Sequence, residues 1–200
     1  MSKVSTNYQD FEFEQFYRLH TSVSGGDQIF RNDSNYIFFL QKISKYLLPI
    51  MEVHGYVLLP HKFELLVLFR AKNEIMKNLH LEEKELTKER EHRFLMQPIS
   101  NFLNSYAKAY NKMFQRKGAL FVDYIKRDKL EDEESLIRSL CDIHMLPVQH
   151  HLVSSPQDWK YSSYGSYLNL ELHSSVSRSF LLDLFGNKQN FVEMHTLRSK

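Results

Sequence analysis

Cysteine is almost absent from this sequence, in which Cys141 is the single example. One thiol cannot form an internal disulfide or supply a cysteine-based zinc site, so both kinds of stabilised small domain are excluded. Glycine and proline are also scarce, at 6 and 5 residues, while 42% of the residues are hydrophobic and 25% are charged. This composition is ordinary for a globular protein, and 200 residues suffice for one domain with a substantial core or one domain with an appended tail.

Long apolar runs and a large excess of one charge are absent too. No run of about 18 apolar residues predicts a membrane span, and the polar, acidic segment Met1–Gln15 lacks the apolar core of a signal peptide. We therefore expect a soluble cytoplasmic protein with no membrane partner. Its 26 basic and 24 acidic residues leave a net charge of +2, which is too small to indicate a nucleic-acid partner, so any basic surface must be local.

The apolar pattern predicts four strands and a set of helices. The predicted strands are Phe16–Val23, Met51–Leu59, Lys62–Arg70 and Ala119–Ile125. The first predicted helix is capped by Asn32, Asp33 or Ser34, and the second begins near Ile99. The third is capped by Asp132 and ends at Pro147. The first of these helices carries one apolar stripe, formed by Ile37, Leu40, Ile43 and Leu47. The order β-α-β-β-α-β predicts an α+β, ferredoxin-like fold, with one antiparallel sheet, helices on one face and extra C-terminal helices.

Two regions stand apart from this pattern. Residues 72–93 hold six basic and six acidic side chains, a balance that is typical of a solvated helical insertion. Short helical pieces follow residue 150, one of them ending at Gly186. We therefore predict a domain over residues 1–150 with a charged insertion near 72–96, and a helical extension over 151–200 packed on it.

The most informative segment is 56–67, which predicts two strands that meet at a proline turn. Side chains two residues apart on a strand point to the same face, so Lys62 and Glu64 stand side by side. The opposite face carries only apolar side chains, Phe63, Leu65, Val67 and Phe69. A strand this apolar should be central and covered on both faces, so a charged pair at its start requires an explanation.

Several segments occur in an order and spacing that together identify a family. They read Tyr-Val-Leu-Leu-Pro at 56–60, Gly-Ala-Leu-Phe at 118–121, Asp-Glu-Glu at 132–134, Ile-His-Met-Leu-Pro-Val at 143–148, Asp-Trp-Lys-Tyr-Ser-Ser-Tyr at 158–164 and Phe-Gly-Asn-Lys at 185–188. From about Phe16 to His195 the chain resembles the single-tyrosine HUH transposases, in the branch of REP-associated tyrosine transposases.

The resemblance implies enzymes that cut and rejoin single-stranded DNA beside hairpins and that pair as homodimers. In such enzymes two histidines at i and i+2 on a strand hold a divalent metal such as magnesium, which polarises the scissile phosphate. A tyrosine on a helix attacks and forms a covalent link to the DNA. A polar side chain one helical turn later helps to hold the metal.

This chain departs from the family pattern at every one of these positions. The family reads Pro-Asn-His-x-His where residues 60–64 read Pro-His-Lys-Phe-Glu, and Tyr-Ile-His-Leu-Asn-Pro where residues 142–147 read Asp-Ile-His-Met-Leu-Pro. The four catalytic positions therefore hold Lys62, Glu64, Asp142 and Leu146. An ammonium has no lone pair for a metal, and leucine has no ligating atom. We expect no metal cofactor and a catalytically inactive protein that retains DNA binding.

Three alternative functions are consistent with this interpretation. In the first, Lys62 lies near the place of the lost cation and is neutralised by Glu64 or Asp142, and the protein only binds DNA. In the second, Glu64 and Asp142 form a rebuilt metal site of a working nuclease. In the third, the chain is a domesticated protein-interaction scaffold.

Other polar residues divide into a basic group and a set with structural roles. Between residues 97 and 129 there are seven basic and two acidic side chains, an excess that is suited to a phosphate backbone. The candidate nucleic-acid-binding residues are Lys108, Lys112, Arg116, Lys117, Lys126 and Arg127. We predict core packing for His144 and Cys141, helix packing for Tyr106 and Tyr110, and a solvated turn for His150–His151.

Overall fold

The computed structural model describes residues 9–23, 28–82, 87–121 and 125–197. Its strands are β1 (Phe16–Ser22), β2 (Met51–Leu59), β3 (Lys62–Phe69) and β4 (Lys126–Leu130). Its helices are α1 (Asp33–Tyr46), α2 (Lys72–Asn78), α3 (Lys88–Met113), α4 (Glu133–Gln149), α5 (Tyr164–Leu168), α6 (Ser179–Phe185) and α7 (Lys188–Leu197), with a 3-10 turn at Pro156–Asp158. None of the helices in these ranges is long and apolar enough to span a bilayer.

The four strands form one antiparallel sheet in the order β2-β3-β1-β4. This order, with β1 and β3 in the centre, is the predicted ferredoxin-like arrangement, so the α+β fold class is confirmed. The strand register determines which side chains of β1, β3 and β4 are neighbours on one face of the sheet. On β1, Arg18 lies opposite Leu66 of β3, and His20 lies opposite both Glu64 of β3 and Lys126 of β4.

Helices cover both faces of this sheet. Phe63 and Leu65 of β3 join the large core beneath α1 and α3, while Leu66 joins a second core beneath α4 and the C-terminal helices. The helices of the β-α-β-β-α-β unit, α1 and α3, lie on one face as predicted, and α4 with the extra C-terminal helices covers the second face. The reason is that β2 and β3 are apolar on both faces, so the second face must also be covered.

The fourth strand is not where the apolar pattern predicted it. The predicted segment Ala119–Ile125 contributes buried Leu120 and Ile125 to the core, and its residues 122–124 lie outside the described ranges. The strand itself is the charged segment Lys126–Leu130, paired only with β1. An edge strand forms backbone hydrogen bonds on one side and tolerates charged side chains, so its sequence lacks a core strand's apolar alternation.

Two prolines lie inside helices, and one of them, Pro147, was predicted to end its helix. The long helix α3 begins at Lys88 and passes through Pro98, so it includes part of the predicted insertion, whose residues 83–86 are not described. In α4, Pro147 is followed by two further helical residues. A proline removes one backbone hydrogen bond, but α3 buries Leu95 and Ile99 on either side of Pro98, and this burial outweighs the loss.

The buried stripe of α1 is rotated from the predicted one. Tyr36, Phe39 and Ile43 are buried, whereas Ile37 is 53% exposed. Aromatic side chains bury more apolar area than isoleucine, so the helix turns Tyr36 and Phe39 toward the sheet. Of the three candidate caps of α1, Asn32 is the one that accepts a hydrogen bond, from the amide of Asn35. The predicted cap of α4 is confirmed, because Asp132 accepts a hydrogen bond from the amide of Ser135.

Gly55 allows α4 to lie close against β2. A Cβ atom at Gly55 would overlap Cδ1 of the buried Leu140, because strand and helix approach closely there. We expect Gly55→Ala to lower the free energy of unfolding by about 1–3 kcal/mol through overpacking. Chemical denaturation measures the change, with Gly165→Ala as the control, since nothing lies within 4 Å of that added methyl group. Equal stability of the two variants would contradict the close approach.

Candidate functional site

The start of β3 and the facing side of α4 enclose a charged pocket. The Glu64 side chain is 6% exposed, and each of its oxygens meets a cation. Oε1 lies 3.1 Å from Lys62 Nζ. Oε2 accepts hydrogen bonds from Arg18 Nε at 2.8 Å and from Arg18 Nη2 at 2.5 Å. The predicted ion pair between Lys62 and Glu64 is present, but a second cation shares it.

Arg18 is the residue that sequence reasoning missed. Its guanidinium holds Glu64 of β3, and its Nη1 lies 3.8 Å from Asp142 Oδ2 of α4. Arg18 therefore bridges the sheet and the helix, a role that was predicted for Lys62. The arginine fork suits this position because it presents several donors to carboxylates from one fixed plane.

Two histidines border the pocket. His20 lies opposite Glu64, and its Nε2 is 3.6 Å from Asp128 Oδ2. Burial lowers the pKa of His20, against the opposing effect of the Glu64 and Asp128 carboxylates. Burial also lowers the pKa of His150, with the Lys62 ammonium acting in the same direction. Both imidazoles are therefore neutral at neutral pH, and they add no positive charge to the pocket there.

The residues present do not fit the divalent metal that the resemblance implies. Both oxygens of Glu64 already accept from cationic side chains, which a metal ion would have to displace. Leu146 is buried and apolar, and it packs in the core beneath α4. Among the described residues, no group of three or more His, Cys, Asp or Glu side chains is placed to hold a metal.

A buried hydrogen-bond chain lies on the same helix, behind the pocket. His144 Nδ1 is 3.0 Å from His195 Nε2, and His144 Nε2 is 2.7 Å from Ser163 Oγ. His195 Nδ1 is 2.6 Å from the carbonyl oxygen of Phe191, and the Tyr56 amide donates to Ser163 Oγ at 2.9 Å. The core role predicted for His144 is confirmed, because none of its surface is exposed.

One proton arrangement satisfies every member of this chain. The Phe191 carbonyl only accepts, so His195 carries its proton on Nδ1 and accepts at Nε2. His144 therefore donates from Nδ1 and accepts at Nε2, and the Ser163 hydroxyl donates to it. Both histidines are neutral in this arrangement, and burial, aided by His195, holds the pKa of His144 well below its ordinary value.

The remaining structural predictions are also confirmed. Tyr106 and Tyr110 donate hydrogen bonds to the carbonyls of Ile29 and Gln28, at 2.6 and 2.5 Å. Burial raises the pKa of Tyr106 far above its ordinary range, which opposes any role as a nucleophile. Cys141 is buried, and His150 and His151 are exposed in the turn after α4.

The six candidate nucleic-acid-binding residues do not form one surface. Lys108 and Lys112 are exposed on α3, and Lys117 is exposed just beyond its end. Neighbouring residues on a strand point to opposite faces, so Lys126 lies on the pocket face beside His20, while Arg127 lies against the Phe11 ring on the other. Arg127 Nε also donates to the Gln9 carbonyl at 2.5 Å.

Arg116 lies next to the α3 lysines, but its guanidinium forms hydrogen bonds within this chain. Its Nη1 donates to the carbonyls of Gly118 and Ala119, at 3.3 and 2.9 Å. These bonds hold the loop after α3 against the helix. Of the six candidate residues, Lys108, Lys112 and Lys117 are the exposed cations on this side, and all three lie on the face of the sheet opposite the charged pocket.

A groove of about 500 Å³ lies between α3 and this loop. Ser100, Asn104 and Lys108 provide its polar edge, and its apolar walls include Leu103 and Phe121. No carboxylate occurs from residue 92 to residue 121. The described residues that line the groove thus combine donors, apolar walls and a cation and include no carboxylate, a combination that suits an anionic ligand with flat, apolar parts.

Comparison with known proteins gives one informative likeness. Neither the protein-family models nor the curated proteins gave a match to this sequence. Among solved structures, the fold is similar to a REP-associated tyrosine transposase that was solved bound to a REP hairpin, with a TM-score of 0.55 and 12% sequence identity. The similarity covers 90% of this chain and 93% of that protein. At this identity the comparison shows a shared, transposase-like fold.

Proposed function

We propose that this chain is a transposase-like protein that binds single-stranded or hairpin DNA and no longer cuts it. The observation that carries the proposal is the shared fold, which extends over 90% of the chain and whose neighbour was solved with a DNA hairpin. The sequence resemblance points to the same family independently.

The charged pocket supports the loss of cleavage. Transesterification by this class of site needs a metal ligand pair and a nucleophile that can attack phosphorus. Here Arg18 and Lys62 neutralise Glu64, and Asp142 stands at the tyrosine position. The competing nuclease with a rebuilt Glu64–Asp142 site would require a metal ion to replace the Arg18 guanidinium, whose hydrogen bonds to Glu64 are short.

The exposed lysines of α3 are the proposed contacts to DNA phosphates. Lys108 lies on the edge of the groove, and Lys112 follows it one helical turn later. None of the described carboxylates forms an ion pair with either side chain, so both ammonium groups can bind a polyanion. Unpaired bases would enter the groove against Leu103 and Phe121.

We expect the double variant Lys108→Glu with Lys112→Glu to weaken binding of a labelled DNA hairpin by about tenfold or more. It should also reduce the slope of log affinity against log salt by about 2, one for each lost phosphate contact. Fluorescence anisotropy at several salt concentrations measures both quantities. The matched control is Lys72→Glu with Lys77→Glu on α2, which changes the net charge equally.

Three results would argue against the proposal. Equal losses in the two double variants would show that only net charge matters. Tight binding that depends on Lys62 and Lys126 instead would move the interface to the pocket face. Cleavage of the hairpin in magnesium or manganese that is abolished by Glu64→Ala, or a covalent protein–DNA adduct, would establish an active enzyme.

The proposal also includes a homodimer, on the basis of the family resemblance alone. Sedimentation of the purified protein, with and without hairpin DNA, tests the oligomeric state. A monomer under both conditions would remove the dimer and leave the DNA-binding proposal unchanged.

A further inference from the structure

A second groove, of about 380 Å³, lies on the other flank of α3, between this helix and α1. Its lining is mainly apolar and comes from both helices: Ser34, Asn35, Ile37, Phe38, Gln41, Tyr106, Ala109, Tyr110 and Met113. We refer to it as the α1–α3 groove. It is separate from the charged pocket, which lies on the opposite face of the sheet, and the DNA-binding proposal does not use it.

The apolar side chains of this groove are unusually exposed. Ile37 is 53% exposed and Met113 is 58% exposed, on facing helices. Asn35 Nδ2 lies 3.5 Å from Met113 Sδ, so the methionine is held across the groove from α1. The spacing of Ile37 from Leu40 and Ile43 is typical of a buried stripe, yet the Ile37 side chain is exposed to solvent. Two large apolar side chains on one preformed groove are typical of a surface that a partner covers.

A cation stands at each end of the groove. The Arg31 guanidinium carbon lies 5.5 Å from the centre of the Tyr110 ring, and Lys42 Nζ lies 4.7 Å from the centre of the Phe38 ring. After Asp33, α1 has no acidic residue, and α3 has none after Glu91. Asp33 is itself paired with Lys160, at 2.5 Å. The groove therefore has an apolar floor with positive ends.

We propose that the α1–α3 groove is a docking site for an acidic amphipathic helix of a partner protein. The lining of α1 runs from Ser34 to Gln41, two helical turns or roughly 10 Å. Anchors at i, i+4 and i+7 on a partner helix span the same length and would cover Ile37 and Met113. Carboxylates flanking that stripe would meet Arg31 and Lys42.

A nucleic acid fits this groove less well. A duplex phosphate backbone would satisfy the two cations but leave the apolar floor uncovered, and the exposed floor residues Ile37 and Met113 have no aromatic ring on which an unpaired base could stack. An acidic amphipathic helix satisfies both features with one occupant, and charge complementarity therefore favours it. A partner protein bound in the α1–α3 groove would occupy a surface that is separate from the proposed DNA-binding groove.

The test uses a synthetic peptide of about four helical turns with leucines at i, i+4 and i+7 and glutamates beside them. Methyl groups of methionine, labelled with carbon-13, report where the peptide binds on the intact protein. We expect the Met113 methyl resonance to shift on titration, while that of Met145, which is 1% exposed, stays in place. Added salt should weaken the binding, because the end contacts are charged.

Variants at exposed positions test the groove without disturbing the fold. Ile37→Glu and Met113→Glu each place a carboxylate where the apolar stripe would lie, and each should weaken peptide binding about tenfold or more. Lys42→Glu should weaken it by opposing the peptide's charge. The matched control is Leu172→Glu, a change at a residue that is 62% exposed and lies outside the groove.

Four outcomes would overturn the proposal. The first is equal binding of a scrambled peptide with the same composition but no apolar stripe. The second is no shift of Met113, or no effect of Ile37→Glu and Met113→Glu. The third is concentration-dependent self-association that Met113→Glu abolishes, which would assign the groove to a second copy of this chain. The fourth is a Met113 shift produced by hairpin DNA but not by the peptide.

Discussion

The Arg18→Met variant is expected to lose about 3 kcal/mol or more of its free energy of unfolding. Arg18 supplies two short hydrogen bonds to Glu64 Oε2, and the Glu64 side chain is 6% exposed. Without the guanidinium, a nearly buried carboxylate keeps only the Lys62 ammonium, at 3.1 Å. Removing one partner of a buried ion pair costs more than the pair contributes, because the remaining charge stays desolvated.

A double-mutant cycle distinguishes this cause from simple loss of packing. Arg18→Met combined with Glu64→Leu removes both charges, so the double variant should recover most of the stability that Arg18→Met loses. Glu74→Ala breaks the pair of Glu74 with Arg70, an exposed pair one helical turn apart along the sequence, and should cost less than about 1 kcal/mol. Urea denaturation measures the unfolding free energies of these three variants and of the single variant Glu64→Leu, which completes the cycle. If Arg18→Met costs no more than Glu74→Ala, Arg18 is not the required counter-charge.

The same ion pair is part of a charge balance inside the pocket. A buried charge that lacks a partner is costly to desolvate. Arg18, Lys62, Glu64 and Asp142 provide this balance from three different elements. Charges that neutralise one another inside the protein are poor ligands for an external ion.

The sequence predicts those elements best in which local pattern and tertiary role agree. The strands β2 and β3 were predicted almost residue by residue, because apolar runs flank the turn at Pro60. The edge strand β4 was missed because its side chains are mostly charged, so its sequence has no apolar alternation. Its position follows from backbone pairing with β1, which the sequence pattern does not show. The exposure of Ile37 was also missed. Tyr36 and Phe39 have larger side chains, and their burial in the core leaves Ile37 on the exposed side of α1.

The candidate site divides in the same way. Lys62 and Glu64 are two residues apart, so their pairing follows from strand geometry alone. Arg18 is 46 residues from Glu64, and only the pairing of β1 with β3 brings them together. Lys126 and Arg127 were grouped by sequence adjacency, but strand alternation sends them to opposite faces. A predicted pairing of β1 with β3 would have been the signal that identifies Arg18.

Buried histidines give the molecule a second property, which concerns pH. Burial lowers the pKa of His54 to about 4, against the opposing effect of Glu52, and burial holds the pKa of His144 well below its ordinary value of 6.5. A histidine with a lowered pKa binds fewer protons when folded than when unfolded. Its contribution to stability is therefore fully present above about pH 6.5 and is lost as the pH falls toward the folded pKa.

We expect the free energy of unfolding to fall steeply between about pH 6.5 and pH 4, with His54 alone accounting for about 3 kcal/mol. His144 should add a similar slope, because protonating it would break the chain from Ser163 to His195. Urea denaturation at several pH values measures the fall, and stability that stays constant down to pH 5 would contradict it.

His54→Phe is the informative variant for separating the two histidines. Neither imidazole nitrogen of His54 forms a hydrogen bond with the residues that the structure describes, and the nearest carboxylate oxygen, Glu52 Oε2, is 3.6 Å from Nε2. The ring packs beside those of Phe16 and Phe180, which stack on each other. A phenyl ring therefore loses no hydrogen bond there, and it cannot acquire a proton. We expect His54→Phe to be at least as stable as the parent at pH 7.5 and clearly more stable at pH 5. If the variant's free energy of unfolding still falls with pH as steeply as that of the parent, the fall must come from His144 and the other histidines. The burial of a neutral His54 would then not be what lowers stability in acid.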